Sequence, residues 1–208
     1  MATKTQKSGD VSTRKSLPRV SKPRTPKFVP RDSMLTVEQW AAMPDVKPPY
    51  ELINGKLVQK MVTTNEHDWI TSRFKRFCDE WSDQSHWRFF SRGSGTAIGE
   101  HDGFIPDVMG FSPDIQVAPK ATYNPVPFLV VEVLSRGTKK LDRNEKKAAC
   151  AQAGVQLYIL VDPDAQTMEV YSLQNAKYGA PQILKSGDVW QPEELAGLKL
   201  EVEKLWFK

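Results

Sequence analysis

Glu132 stands inside an otherwise apolar run, Phe128-Leu129-Val130-Val131-Glu132-Val133-Leu134, and Asp107 inside a second, Phe104-Ile105-Pro106-Asp107-Val108-Met109. Runs of this kind read as strands covered on both faces. A carboxylate buried there without a partner is costly, and it escapes by taking up a proton or finding a cation. Two carboxylates delivered by neighbouring strands would repel unless they shared one or the other. A hard divalent ion suits them, because Mg²⁺ often uses only one or two protein carboxylates and leaves the rest of its shell to water and phosphate. A third group comes from a helix. Asp142, Lys146, Ala149, Cys150 and Ala153 share a face by three-and-four spacing. The small apolar members should turn that face to a sheet and carry Lys146 inward. An amine there can hold a water or hydroxide and offset negative charge growing on a phosphate. Carboxylate, carboxylate and inward amine together are what metal-assisted phosphodiester hydrolysis requires. Blander readings compete: an edge-strand carboxylate for Glu132, a turn residue after proline for Asp107, and a snorkelling lysine for Lys146.

The elements that must position these groups follow from pattern. Thr36 and Gln39 form a capping-box pair, so a short helix covers about 37–43, ended by Pro44 and Pro48-Pro49. Residues 50–60, YELINGKLVQK, read as a hairpin around Asn54-Gly55. Ile70, Phe74, Phe77 and Trp81 mark an amphipathic helix from Asn65 to about Ser82, with His67 on roughly the same face. Strands follow over 87–90, 95–98 and 103–111, the last containing Pro106-Asp107, and then over 127–134. A helix from about Lys140 to Ala153 stops at Gly154. Residues 156–162 and 167–173 form a second hairpin, with short strands near 181–185 and 198–203. This order describes one mixed α/β domain with a central sheet.

The arrangement resembles the PD-(D/E)XK nuclease superfamily, and within it the Uma-type restriction-endonuclease-like branch. Pro106-Asp107 looks like the first metal-ligand motif of that superfamily, and Glu132 in VVEVLS like the acidic member of the second. The standard lysine two residues on is replaced here by Leu134. In the Uma-type branch the following helix supplies the lysine, and Asp142, Lys146, Gly154-Val155, Tyr158 and Val161-Asp162 match its pattern. YELINGKLV also matches the branch, whose glutamate (Glu51 here) can lie beside the metal, and His67 corresponds to a histidine of its long helix. The resemblance spans about residues 34–206. It implies a restriction-endonuclease-like core with β-hairpin additions at both ends. It also implies a Mg²⁺- or Mn²⁺-dependent endonuclease acting on DNA, leaving 5′-phosphate and 3′-hydroxyl. Asp107, Glu132 and Glu51 would be metal ligands and Lys146 catalytic, with Asp142 and His67 in support. Arg136, Lys139 and Lys140, in the loop before the helix, are the local candidates for phosphate contact, with a solvated charge run as the alternative. Homodimers suit enzymes that cut both strands of a duplex, and the resemblance carries that option. A catalytically idle relative used for nucleic-acid binding or assembly is the competing account.

Composition bounds these readings. The 208 residues, 39% apolar and 26% charged, can bury one sizeable core. No run is long and apolar enough to span a bilayer, and no secretory h-region is present, so the expected setting is cytoplasmic. Cys78 and Cys150 lack metal-site spacing and read as free thiols. The net charge of +4 is uneven. Residues 1–31 carry nine Lys or Arg against Asp10 alone, a tail of +8 that leaves −4 for the remainder. The tail, with four Pro and eight Ser or Thr, is expected to be disordered. It is either a solvated leader, a salt-sensitive polyanion contact, or a targeting sequence. Residues 32–208 form the domain.

Overall fold

The computed structural model describes residues 34–91 and 93–207, so the basic tail lies outside the described residues. Helix α1 (Val37–Ala41) begins at the expected capping box: Thr36 Oγ1 accepts from Gln39 N, and Gln39 Oε1 accepts from Thr36 N. Strands β1 (Tyr50–Ile53) and β2 (Lys56–Gln59) form the hairpin, turning through Asn54 and Gly55 at φ 49° and 72°. Helix α2 (Asn65–Ser82) follows. Then come β3 (Arg88–Ser91), β4 (Thr96–Gly99), β5 (Asp102–Phe104), β6 (Val108–Phe111) and β7 (Leu129–Val133). The single strand expected over 103–111 is two. It breaks at Ile105-Pro106-Asp107, because proline cannot donate to a ladder, and the chain there passes from one sheet to another.

The expected single helix over 140–153 is also more structured than its pattern suggests. It runs as α3 (Lys139–Leu141), a π-helical turn (Asp142–Lys146) and α4 (Lys147–Ala153). Gly154, at φ 89°, ends it in the left-handed conformation. Strands β8 (Leu157–Asp162), β9 (Thr167–Gln174), β10 (Lys177–Tyr178), β11 (Gln182–Lys185), β12 (Val189–Trp190) and β13 (Leu200–Glu201) complete the chain.

The central sheet has the order β10-β9-β8-β7-β6-β3, with β11 also on β9. Its pairings are antiparallel except for β7 with β8, which are parallel and joined by the α3–α4 helix. A smaller sheet, β2-β1-β5-β4, packs beside it, and β12 pairs with β13. Both faces of β7 are covered. Leu129, Val131 and Val133 join Ile70, Phe74 and Cys78 of α2 in one core, while Val130 and Leu134 join Cys150, Val155, Tyr158 and Leu160 in the other. Glu132 falls on the second face by alternation. Among the described residues no helix is long and apolar enough to cross a membrane.

Candidate active site

Glu132 is 2% exposed and enters the space between the sheet and the α3–α4 helix. Lys146, 1% exposed, meets it there. Its Nζ lies 2.8 Å from Glu51 Oε2, 3.0 Å from Glu132 Oε1 and 3.3 Å from Asp142 Oδ1. Burial alone would discharge this lysine, but Glu132, Glu51 and Asp142 outweigh it and raise its pKa well above the ordinary value. Lys146 is therefore an ammonium at neutral pH, and it donates. One positive charge faces three acids. Burial pushes Glu132 up to about 8 against the opposing pull of Lys146 and Lys60, and it pushes Asp142 upward too. Asp142 Oδ1 is buried without a hydrogen-bond partner among the described residues.

Asp107 closes the break between β5 and β6. Val108 pairs with Val131, so Asp107 falls level with Glu132 across the β6–β7 ladder. Its Oδ2 accepts from Val133 N at 2.9 Å and lies 3.0 Å from His67 Nε2. Its Oδ1 accepts from Lys60 Nζ at 3.3 Å. Burial would raise this carboxyl, but Lys60, His67 and the Val133 N–H outweigh that and hold it below the ordinary carboxylate range. Lys60 also donates to Ile105 O at 2.6 Å. The Ile105 N–H donates to Glu51 Oε1 at 2.8 Å. The Asp107–Lys60 pair and the Glu51–Lys146–Glu132 set are thus tied through one residue, Ile105. Apart from Glu51, these groups border a cavity of about 270 Å³ whose lining includes Lys60, His67, Asp107, Glu132, Arg136 and Lys146.

The structure brings Glu51, Asp107, Glu132, Asp142, Lys146 and His67 into one cluster. Glu51 does not line the cavity, since its two oxygens face Ile105 N and Lys146. Arg136 is exposed at the cavity wall. Lys139 is turned to Asp162, with Nζ 2.7 Å from Oδ2, and Lys140 is exposed and absent from the lining. Lys60 is the participant that sequence reasoning missed. The signal was present in the hairpin: Glu51 pairs with Val58, so Lys60, two residues on, projects on the face of Glu51.

Comparison with curated proteins gives no match. Among solved structures, a "putative nuclease belonging to DUF820 from Anabaena variabilis ATCC 29413" superposes with a TM-score of 0.71. It is 23% identical, and the match covers 82% of this chain and 97% of that one. At that identity the likeness establishes a shared fold alone. Residues 37–203, from the first turn of α1 to the last turns after β13, match the family Uma2, described as "Putative restriction endonuclease". With the match running through both hairpins, Asp107, Glu132 and Lys146, the chain belongs to the Uma2 family.

Proposed function

We propose that this chain is a divalent-metal-dependent endonuclease that hydrolyses phosphodiester bonds of DNA. One observation carries the reading: Asp107, just before β6, and Glu132 on β7 stand level with one another and border a single cavity with the Lys146 ammonium beside them. The donor set fits Mg²⁺ or Mn²⁺. Asp107, Glu132 and Asp142 all line the cavity, and carboxylate oxygen is the ligand type these ions take. Among the described residues no three His, Cys, Asp or Glu side chains already form a metal cage. A cation here would rest on Asp107 and Glu132, with water and substrate phosphate completing its shell. When bound, it would lower the pKa of a water and polarise the phosphoryl oxygens.

The protein's own groups divide the remaining work. Lys146, already charged, orients the attacking water and stabilises charge on the phosphate; as a cation it does not take the water's proton. Glu51 and Asp142 keep Lys146 in place, and His67 and Lys60 keep Asp107 ionised. Arg136 at the cavity wall meets a neighbouring phosphate. The water oxygen bonds to phosphorus and gives one proton to solvent, the bond from phosphorus to the 3′ oxygen breaks, and that oxygen takes a proton from solvent. The products carry a 5′-phosphate and a 3′-hydroxyl.

One feature favours a second reading, a nuclease fold retained for binding without catalysis. Lys60 and Lys146 already pair with Asp107, Glu51 and Glu132, and the raised Glu132 and Asp142 carboxyls can hold protons in place of a metal. Cleavage of supercoiled plasmid and of labelled duplex, single-stranded DNA and RNA, with MgCl₂ or MnCl₂ and with EDTA, separates the two. Metal-dependent cutting that Asp107→Ala abolishes supports the endonuclease. Wild-type protein that neither binds the ion by calorimetry nor cuts any substrate leaves only the binding role.

A further inference from the structure

The π-helical turn lies over Asp142–Lys146, the two helix residues in the charged cluster. Over the eight residues from Asp142 to Cys150 a regular α-helix would rotate its face by about 80°. A π-bulge accommodates one extra residue and takes back about 100°, so Cys150 returns to within about 20° of Asp142. Asp142, Lys146 and Cys150 are all buried. The bulge therefore returns the core thiol of Cys150 to the side of the helix that carries Asp142.

A bulge of this kind needs something to hold it, because a regular helix satisfies its backbone better. Tyr158 sits on β8 opposite Val130, one step along the sheet from Glu132 and on the same face. Its ring is fully buried, and its hydroxyl donates to the carbonyl of Asp142, the first residue of the π-turn, at 2.8 Å. Burial keeps the phenol protonated and so a donor. On the outer side Arg143, the next residue, forks onto Glu169 of β9 with two bonds of 2.7 Å. The turn is thus fastened to two adjacent strands.

We infer that Tyr158 is a positioning residue: its hydroxyl pins the Asp142 carbonyl, fixes the π-turn, and thereby sets the Lys146 amine against Glu132 and Glu51. Only the kinetic part of this inference rests on the nuclease reading.

The test uses the full chain labelled with ¹³Cε,¹⁵Nζ-lysine, with the Lys146 signal assigned from Lys146→Met. Wild-type protein should show a slowly exchanging Lys146 ammonium distinct from exposed lysines. Tyr158→Phe removes one oxygen and should speed exchange of that ammonium at least tenfold. It should lower kcat for metal-dependent DNA cleavage at least tenfold, with KM within twofold. 4-Aminophenylalanine at position 158 puts a donor back and should restore both. Tyr178→Phe is the control: it removes a hydroxyl bonded at 2.7 Å to a backbone carbonyl, that of Val155, in the same core, and should move neither. If Tyr158→Phe leaves Lys146 exchange within twofold of wild type, or Tyr178→Phe changes it as much, the positioning role is wrong. If Tyr158→Phe fails to fold while the amino variant folds with wild-type exchange, the donor requirement stands. If neither folds, the role is general packing and the inference falls. Should wild-type protein cut no DNA, the exchange measurement still decides the role of Tyr158, and only the nuclease reading is lost.

Discussion

Lys146→Met tests the electrostatic logic of the cluster most directly. Methionine matches the aliphatic stem and removes the charge that faces Glu51, Glu132 and Asp142 at 2.8, 3.0 and 3.3 Å. Breaking a buried pair by deleting one partner costs about 3–5 kcal/mol, because the other charge is left uncompensated. For a domain of this size each kcal/mol moves Tm by about 2–4 °C, so a fall of about 6–20 °C is expected at pH 8.5. The loss should shrink at acid pH. Burial raises Glu132 to about 8 from an ordinary 4.5. A carboxyl whose folded pKa is raised costs stability increasingly as pH climbs from its unfolded value to its folded one. Below that window it is protonated in both states and makes no demand on a cation. At pH 5.5 the Glu132 carboxyl retains its proton in the folded protein, so the variant should lie closer to wild type. Thermal unfolding by circular dichroism at pH 5.5 and 8.5 checks this, and adding Glu132→Gln should recover part of the deficit at pH 8.5. A variant within 2 °C of wild type at both pH values would refute the claim that Lys146 is the cation holding these acids.

Asp107→Asn keeps the shape of the side chain but removes the charge that Lys60 and His67 face; titration calorimetry should show loss of Mg²⁺ binding, and cleavage should fall below detection. Saturating Mg²⁺ should raise the wild-type Tm by about 5–11 °C at a hundredfold excess over Kd, worth about 2.7 kcal/mol, and EDTA should reverse it. Because the cation must displace the Glu132 proton, its affinity should rise about tenfold per pH unit between 6 and 7.5 and level off above 8, where that proton is already gone; an affinity flat with pH would count against Glu132 as a ligand. Cys78 and Cys150 are both buried, with thiols pushed upward by desolvation, so neither should react with a disulfide reagent at pH 8 until the chain is unfolded.

The residues that read clearly in the sequence are those whose local pattern and final environment agree. The apolar stripe of α2, the Asn54-Gly55 turn, the capping box at Thr36 and the run around Glu132 carry their own periodicity or turn chemistry, and the elements follow them. The inward amine was legible for the same reason, since small apolar neighbours at helical spacing leave Lys146 no outward face. Other features needed three dimensions. Lys60 holds Asp107 only because the β1–β2 hairpin is laid beside the Ile105-Pro106-Asp107 break, a contact between residues 47 apart in the chain. The division of 103–111 between two sheets is a matter of which strand edges meet, and no periodicity encodes that. The π-turn at Asp142–Lys146 is likewise fixed by partners on β8 and β9 that come later in the chain. Residue types and spacing pointed to Asp107, Glu132 and Lys146 as buried charges. The packing of sheet against helix decided which charge compensates which, because Coulomb energies in a buried cluster depend on distances of a few ångströms that only the assembled fold sets.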